Sequence, residues 1–188
     1  MASFEEYCND VLELETEYHI DSEEEDDEMP TRIHGYLQFQ ILLLLKELLK
    51  DDFKPSPPVT FKGVTQRYTP DVSIYHAAPI RLLTNPASDE IPPLLAIEII
   101  SPGQTIGAMV KKCEGMIASG VEECWIVESA NESITVCTKE HRFVRHEGEV
   151  LMNRFLREPL KVEAIFQNPD KDQKQLQYWR HLWKEDRL

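Results

Sequence analysis

The sequence predicts an α/β domain with a mixed β-sheet flanked by helices, and three observations carry that expectation. A leucine-rich stretch after Pro30 repeats its apolar residues at helical spacing. Two short runs, 68–75 and 94–100, have the pattern of neighbouring strands. A third apolar run at Cys124 follows a helical segment after only a short Gly120-Val121 link. Strand, strand, helix, strand in that order places a crossover helix on a sheet. The 188 residues suit one such domain with an extension, because a length in this range buries a sizeable core without splitting. We read residues 1–30 as an acidic N-terminal extension and 31–188 as the domain.

The elements follow in order. The run Asp21-Ser-Glu-Glu-Glu-Asp-Asp-Glu28 is too charged to pack and reads as a solvated loop, with a short helix before it over 3–18. Thr31 is a natural N-cap, and Ile33, Leu37, Ile41, Leu44, Leu45, Leu48 and Leu49 make a buried helical stripe ending before Lys54-Pro55. The prolines of 55–58 break that helix, and short strands at 59–61 and 64–65 flank a turn at Lys62-Gly63. In Tyr68–Tyr75, Val72 and Ile74 alternate with Asp71, Ser73 and Tyr75 as in a half-buried strand. Leu94–Ile100 is apolar on both faces except at Glu98, the mark of a central strand. Thr105–Ser119 forms a helix with Ile106, Met109, Val110, Cys113, Met116 and Ile117 on one stripe, stopped by Gly120. Cys124–Val127 and Ile134–Thr138 make a buried hairpin, and 141–187 adds two or three short strands and a terminal helix near 171–183.

Charge and cysteine usage narrow the function classes. A formal net charge of −14 opposes binding to a polyanion, yet thirteen of the 34 acidic residues lie in 1–28, which has no Lys or Arg, leaving 21 against 20 basic side chains. Arg142, Arg145, Arg154, Arg157 and Lys161 cluster in one region, either a local basic surface or solvated charges on exposed strand faces. No apolar run approaches the ~20 residues of a membrane span. Cysteines at 8, 113, 124 and 137 form no CxxC pair and no zinc spacing, so free thiols in a reducing, cytoplasmic compartment fit best. There is neither a Ser/His/Asp motif nor a phosphate-binding loop of the Walker type, which argues against acyl transfer and nucleotide-driven motors.

The chemistry rests on two carboxylates. Glu98, set among Leu95, Ala96, Ile97, Ile99 and Ile100, has to be protonated, paired or bound to a cation, because an unpaired buried charge costs several kcal/mol. Asp71, directly after Pro70 at the head of the preceding strand, is its natural companion. Two carboxylates at adjacent strand ends, with the backbone carbonyl of Ile99 and waters, match the all-oxygen coordination of Mg²⁺ or Mn²⁺.

The series Pro70-Asp71-Val72, Leu95-Ala-Ile-Glu98-Ile-Ile-Ser101-Pro102, Lys112 and Gly120-Val-Glu-Glu-Cys-Trp125-Ile-Val127 resembles a bacterial family of restriction endonucleases in the PD-(D/E)XK superfamily, over about residues 31–138. The resemblance implies a restriction-endonuclease-like fold, with Asp71 and Glu98 binding the metal. It also implies a lysine that helps activate or position the attacking water. That lysine usually stands two residues after the Glu, where this chain has Ile100. In the family it moves to the following helix, at Lys112, where an Asp often precedes it by one turn and this chain has Ala108. Lys112 falls about 105° from the centre of the apolar stripe and Lys111 about 155°, so Lys112 is the nearer to the sheet. Its other reading is a rim lysine that keeps its charge in water. His34 has a counterpart in the family and is otherwise a structural hydrogen-bonding residue; Ser73 and Ser101 are second-layer candidates or plain strand and turn hydroxyls.

Two readings of function follow. The first is metal-dependent hydrolysis of DNA phosphodiesters by Asp71, Glu98 and Lys112, with Mg²⁺ or Mn²⁺ as cofactor and DNA as substrate, in a homodimer, since duplex cleavage by such folds usually needs two active sites. The second is a binding or assembly module on the same scaffold with catalysis impaired, which Ile100 and Ala108 favour.

Overall fold

The structure is a computed structural model and describes residues 31–77 and 91–167. The helix expected at 3–18, the acidic run and the terminal helix near 171–183 lie outside the described residues.

Helix α1 (Arg32–Leu48) starts at Thr31, whose side chain accepts a hydrogen bond from the His34 backbone N–H and so satisfies one of the orphan donors of the first turn. It buries Leu37, Ile41 and Leu45. Ile33, expected on the same stripe, is 61% exposed: it continues the four-residue row of the three buried residues back into the first turn, but that row drifts about 40° per step and leaves Ile33 about 80° from the centre of the buried face. Strand β1 (Phe53–Ser56) follows, then the hairpin β2 (Phe61–Lys62) and β3 (Arg67–Tyr68), β4 (Val72–His76) and β5 (Leu95–Ile99). Helix α2 (Ile106–Ala118) crosses to β6 (Glu123–Glu128), which turns into β7 (Ser133–Thr138) and β8 (Arg142–Arg145). A small ribbon of β9 (Val150–Leu151) and β10 (Leu160–Lys161) leads into the short helix α3 (Val162–Phe166).

Six strands form one mixed sheet in the order β1-β4-β5-β6-β7-β8. Only β5 and β6 run parallel, as the α2 crossover requires; every other pair is antiparallel. The fully buried β5 lies in the interior of the sheet, where its two-sided apolar sequence belongs. Two corrections to the sequence reading concern the segment before β4. Pro55 does not simply end a helix but sits within β1, opposite Ile74. This is the edge of the sheet, the one place where a missing N–H breaks no ladder. The hairpin strands are shifted from 59–61 and 64–65 to 61–62 and 67–68, because Phe61 and Tyr68 must pair face to face to enter the core.

The two faces of the sheet carry separate cores. On one, α1 packs with Val72, Ile74, Leu95, Ile97, Ile99, Trp125, Val127, Phe155, Leu156 and Ile165. On the other, α2 and the β2–β3 hairpin enclose Phe61, Tyr68, Ala96, Met109, Cys113, Met116, Cys124 and Ile126. Successive residues of β5 thus serve opposite layers, and the layer shared by Ala96 and α2 is the one into which Glu98 projects.

The basic cluster of the C-terminal half resolves toward its plainer reading. Arg145 pairs with Glu149, Arg154 with both carboxylate oxygens of Glu122, and Arg157 with Asp51 and the Leu49 carbonyl. Three of the five cations are therefore committed to local carboxylates. Among the described residues no helix is long and apolar enough to cross a membrane.

Candidate active site

Asp71 lies one residue before β4. Since Val72 pairs with Ile97, extending the register by one sets Asp71 opposite Glu98, at the end of the sheet where α2 begins. Standing just outside the ladder, its carboxylate turns back on β5. Oδ2 accepts a hydrogen bond from the Ile99 backbone N–H at 2.7 Å, and Oδ1 lies 3.0 Å from His34 Nε2. The other ring nitrogen, Nδ1, is 3.1 Å from the Ser101 hydroxyl. With Nε2–H donating to the carboxylate, neutral His34 accepts from the Ser101 hydroxyl at Nδ1, and this fixes the ring's tautomer. The hydrogen bond to Asp71 raises the His34 pKa; partial burial pulls it down, and the charges of Asp71 and Glu98 add further upward pushes. Ser101 is held in turn: its backbone N–H donates to Gln104 Oε1.

Glu98 occupies the layer under α2 and is only 4% exposed. Lys112 Nζ donates to its Oε2 at 3.1 Å, while Oε1 is buried with no hydrogen-bond partner among the described residues. Burial pushes the Glu98 pKa up to about 7; the Lys112 charge opposes this and the Asp71 charge reinforces it. The buried stripe of α2 is narrower than the sequence suggests, consisting of Met109, Cys113 and Met116. Its centre therefore lies about 65° from Lys112 and about 165° from Lys111 at roughly 100° per residue. Lys111 is exposed and Lys112 half-buried, as the geometry requires. Long helical side chains lean toward their own N-terminus, which carries the Lys112 ammonium to the strand end where α2 begins.

Of the residues singled out from sequence, the structure brings Asp71, His34 and Ser101 into one hydrogen-bonded chain and Glu98 and Lys112 into an ion pair. The Asp71 charge reaches Glu98. Ser73 is fully buried on β4 opposite Ala96, its hydroxyl without a partner, and it touches none of the others by hydrogen bond. Gln38 was missed. One helical turn after His34, its Nε2 donates to the Asp71 backbone carbonyl at 2.7 Å, so α1 grips this residue by side chain and main chain together. The available signal was a pair of polar residues four apart, His34 and Gln38, on one side of the helix, weakened by a further glutamine at Gln40. The Ile99 backbone N–H, the second anchor of Asp71, carries no signature in the sequence at all.

Among the described residues no cluster of three or more His, Cys, Asp and Glu side chains could hold a metal. An ion here would rest on two carboxylates, a main-chain carbonyl and water. The donor set fits one: Glu98 Oε1 is a buried oxygen lacking a partner, and Asp71 faces it across the strand pair with lone pairs beyond the two it has committed.

Sheet order, crossover helix and carboxylate placement together define a restriction-endonuclease-like α/β protein. The chain belongs to the Uma2 family, described as "putative restriction endonuclease", whose model matches residues 1–162. A solved structure described as a putative nuclease belonging to DUF820, from Anabaena variabilis, superimposes with a TM-score of 0.65 at 18% identity. The match covers 73% of this chain and 82% of that one. No curated protein matches the chain.

Proposed function

We propose that this chain hydrolyses DNA phosphodiester bonds with a divalent metal ion, Mg²⁺ or Mn²⁺, held by Asp71, Glu98 and the Ile99 carbonyl. The observation that carries the reading is Glu98: a buried carboxylate opposite Asp71, with one oxygen on Lys112 and the other lacking any partner. Such a group is costly in a fold unless it serves a cation. A divalent ion bound there would supply charge neutralisation at the phosphoryl oxygens and lower the pKa of a bound water.

The chain's own residues do the rest. His34 and the Ile99 N–H hold the Asp71 carboxylate by one oxygen each, fixing its orientation before any ligand arrives. Lys112, bonded to Glu98, holds a positive charge at the strand end, where it favours the ionised form of Glu98 and stands to stabilise negative charge building on a phosphate. Family membership supports the nuclease class, and the Lys112–Glu98 bond supports the reading despite Ile100, because a cation reaches the carboxylate from the helix. Cleaving both strands of a duplex calls for two such sites, which a homodimer supplies. Three buried free thiols, Cys113, Cys124 and Cys137, accord with a reducing, cytoplasmic setting.

The test is cleavage of supercoiled plasmid and of single-stranded DNA in Mg²⁺ or Mn²⁺. EDTA and Asp71→Ala should each abolish it. Cleavage that survives Asp71→Ala, or no cleavage of any DNA by the wild type with either ion, defeats the reading.

A further inference from the structure

We propose that the β2–β3 hairpin is the DNA-backbone contact of this site, offering Lys62 and Arg67 to consecutive phosphates of the strand that enters it. The inference rests on the nuclease reading above and names the surface by which the substrate is held.

Lys62 and Arg67 are directly opposed in the antiparallel pair, and both are exposed. Like charges facing each other across a strand pair destabilise it. The hairpin gains nothing from them, since neither makes an ion pair among the described residues, whereas Arg145, Arg154 and Arg157 are all committed to carboxylates. Two cations of like sign held side by side on a fixed hairpin, with no carboxylate paired to either among the described residues, suit an external polyanion there.

The opposite face of the hairpin shows why its position is fixed. Phe61 and Tyr68 stack at 5.5 Å and are buried against α2. Tyr68 fits where Gly63 and Gly115 leave room; a Cβ added at Gly115 would run into the Tyr68 hydroxyl. The Val64 N–H donates to Ser119 Oγ at 3.0 Å, a second tie to the same helix. With its inner face locked, the hairpin can present its outer face only one way.

Its location places those cations beside the chemistry. On α2, Ser119 lies about 20° and Gly115 about 60° around the axis from Lys112, so the hairpin docks on the flank from which Lys112 reaches Glu98, about 5 to 10 Å further toward the C-terminal end of the helix. Along the chain, Arg67 precedes Asp71 by four residues, and four residues of extended chain span at most ~14 Å. A strand whose scissile phosphate sits at Asp71, Glu98 and Lys112 therefore passes within reach of Arg67 and Lys62.

The experiment uses the full chain and a fluorescein-labelled duplex, with anisotropy read across a salt series in EDTA and again in Ca²⁺. Lys62→Gln with Arg67→Gln should weaken binding roughly tenfold and flatten the log–log salt dependence by about 2, one for each phosphate no longer neutralised. Arg142→Gln with Arg145→Gln, the same change of charge on β8, should leave affinity and slope unchanged. Wild-type affinity and slope in the hairpin variant, or equal losses in both double variants, overturn the hairpin assignment and leave the nuclease reading standing. A wild type that binds no DNA even at low salt overturns both. Unaltered circular dichroism and thermal midpoint in the hairpin variant would establish that a loss of binding is not a loss of fold.

Discussion

Replacing Glu98 by glutamine gives the sharpest handle on the site, because it keeps the shape of the protonated acid and removes the ability to ionise. Burial lifts the Glu98 pKa from 4.5 to about 7. A carboxyl raised in this way favours the folded state while protonated. Its contribution is complete below the unfolded value and is lost as pH climbs through 7. The difference corresponds to about 3 kcal/mol, a large share of the roughly 5–15 kcal/mol typical of a domain. Urea unfolding in EDTA should therefore show wild type and Glu98→Gln matching near pH 4 and diverging upward, with the variant more stable by up to about 3 kcal/mol at pH 8. The raised His34 titrates in both proteins and largely cancels in the difference, since the Glu98 charge is the weakest of the influences on its ring. Added Mn²⁺ should close most of this gap at about a hundred times its Kd, where a ligand stabilises by about 2.7 kcal/mol, and reverse the order at about a thousand times its Kd, where it stabilises by about 4.1 kcal/mol, since only the wild type can gain it. Parallel pH curves for the two proteins in EDTA would refute the account of Glu98 as a buried, strained carboxylate. Equal stabilisation of both by Mn²⁺ would remove Glu98 from the ion's coordination.

Three other outcomes follow from the same geometry. Lys112→Met should cut turnover by two orders of magnitude or more, about 3 kcal/mol of transition-state stabilisation, while Lys111→Met changes it little; comparable rates for wild type and Lys112→Met would exclude the lysine from the chemistry. Gln38→Leu removes the grip on the Asp71 carbonyl, so Mn²⁺ affinity read by electron paramagnetic resonance should fall severalfold with the thermal midpoint nearly unchanged, and an unaltered affinity would make Gln38 a packing residue only. Gly115→Ala should destabilise the fold by about 1–3 kcal/mol through overpacking against Tyr68, measured by urea unfolding; Tyr68→Phe in the same background should recover part of the loss by clearing the hydroxyl, and no recovery would mean that the clash lies elsewhere.

What could be read from the sequence was whatever local periodicity or an out-of-place residue announces. The two-sided apolar β5, the capped α2 and the β6–β7 hairpin declare their burial in their own residues, and each lies within a residue of its expected bounds; α1 starts where its cap predicts but ends at Leu48, well short of Lys54-Pro55. Glu98 was legible for the opposite reason, as the one charge in an apolar run, and Asp71 as the polar residue at the head of the strand before it. The edge strand β1 was hidden because Pro55 is a breaker everywhere but at a sheet edge, and edge position is a property of the whole sheet. The hairpin register depended on Tyr68 fitting where Gly63 and Gly115 leave room, with Phe61 stacked on it, again a tertiary fact. The C-terminal cations left two readings open until their carboxylate partners, distant in sequence, were seen beside them: Glu122 for Arg154 and Asp51 for Arg157. Within the site, side chains with a distinctive chemistry were found, while Gln38, which acts on a main-chain carbonyl, and the Ile99 amide were not.

The arrival of Lys112 at Glu98 from the crossover helix has a genetic corollary. Along β5 the residues facing α2 are Ala96, Glu98 and, one step past the strand, Ile100, which packs into the α2-side core. Two positions far apart in the chain thus look onto one carboxylate, and only one of them need carry the cation for the charge to be present. Selection for a cation at this carboxylate would act on a location in space rather than on a column in the sequence. A lysine lost from the helix could be suppressed by one gained at position 100, and neither change alone would disclose the other. Motif searches that demand the lysine at a fixed offset from the glutamate would score such exchanges as loss of function, although the electrostatics around Glu98 had been conserved throughout.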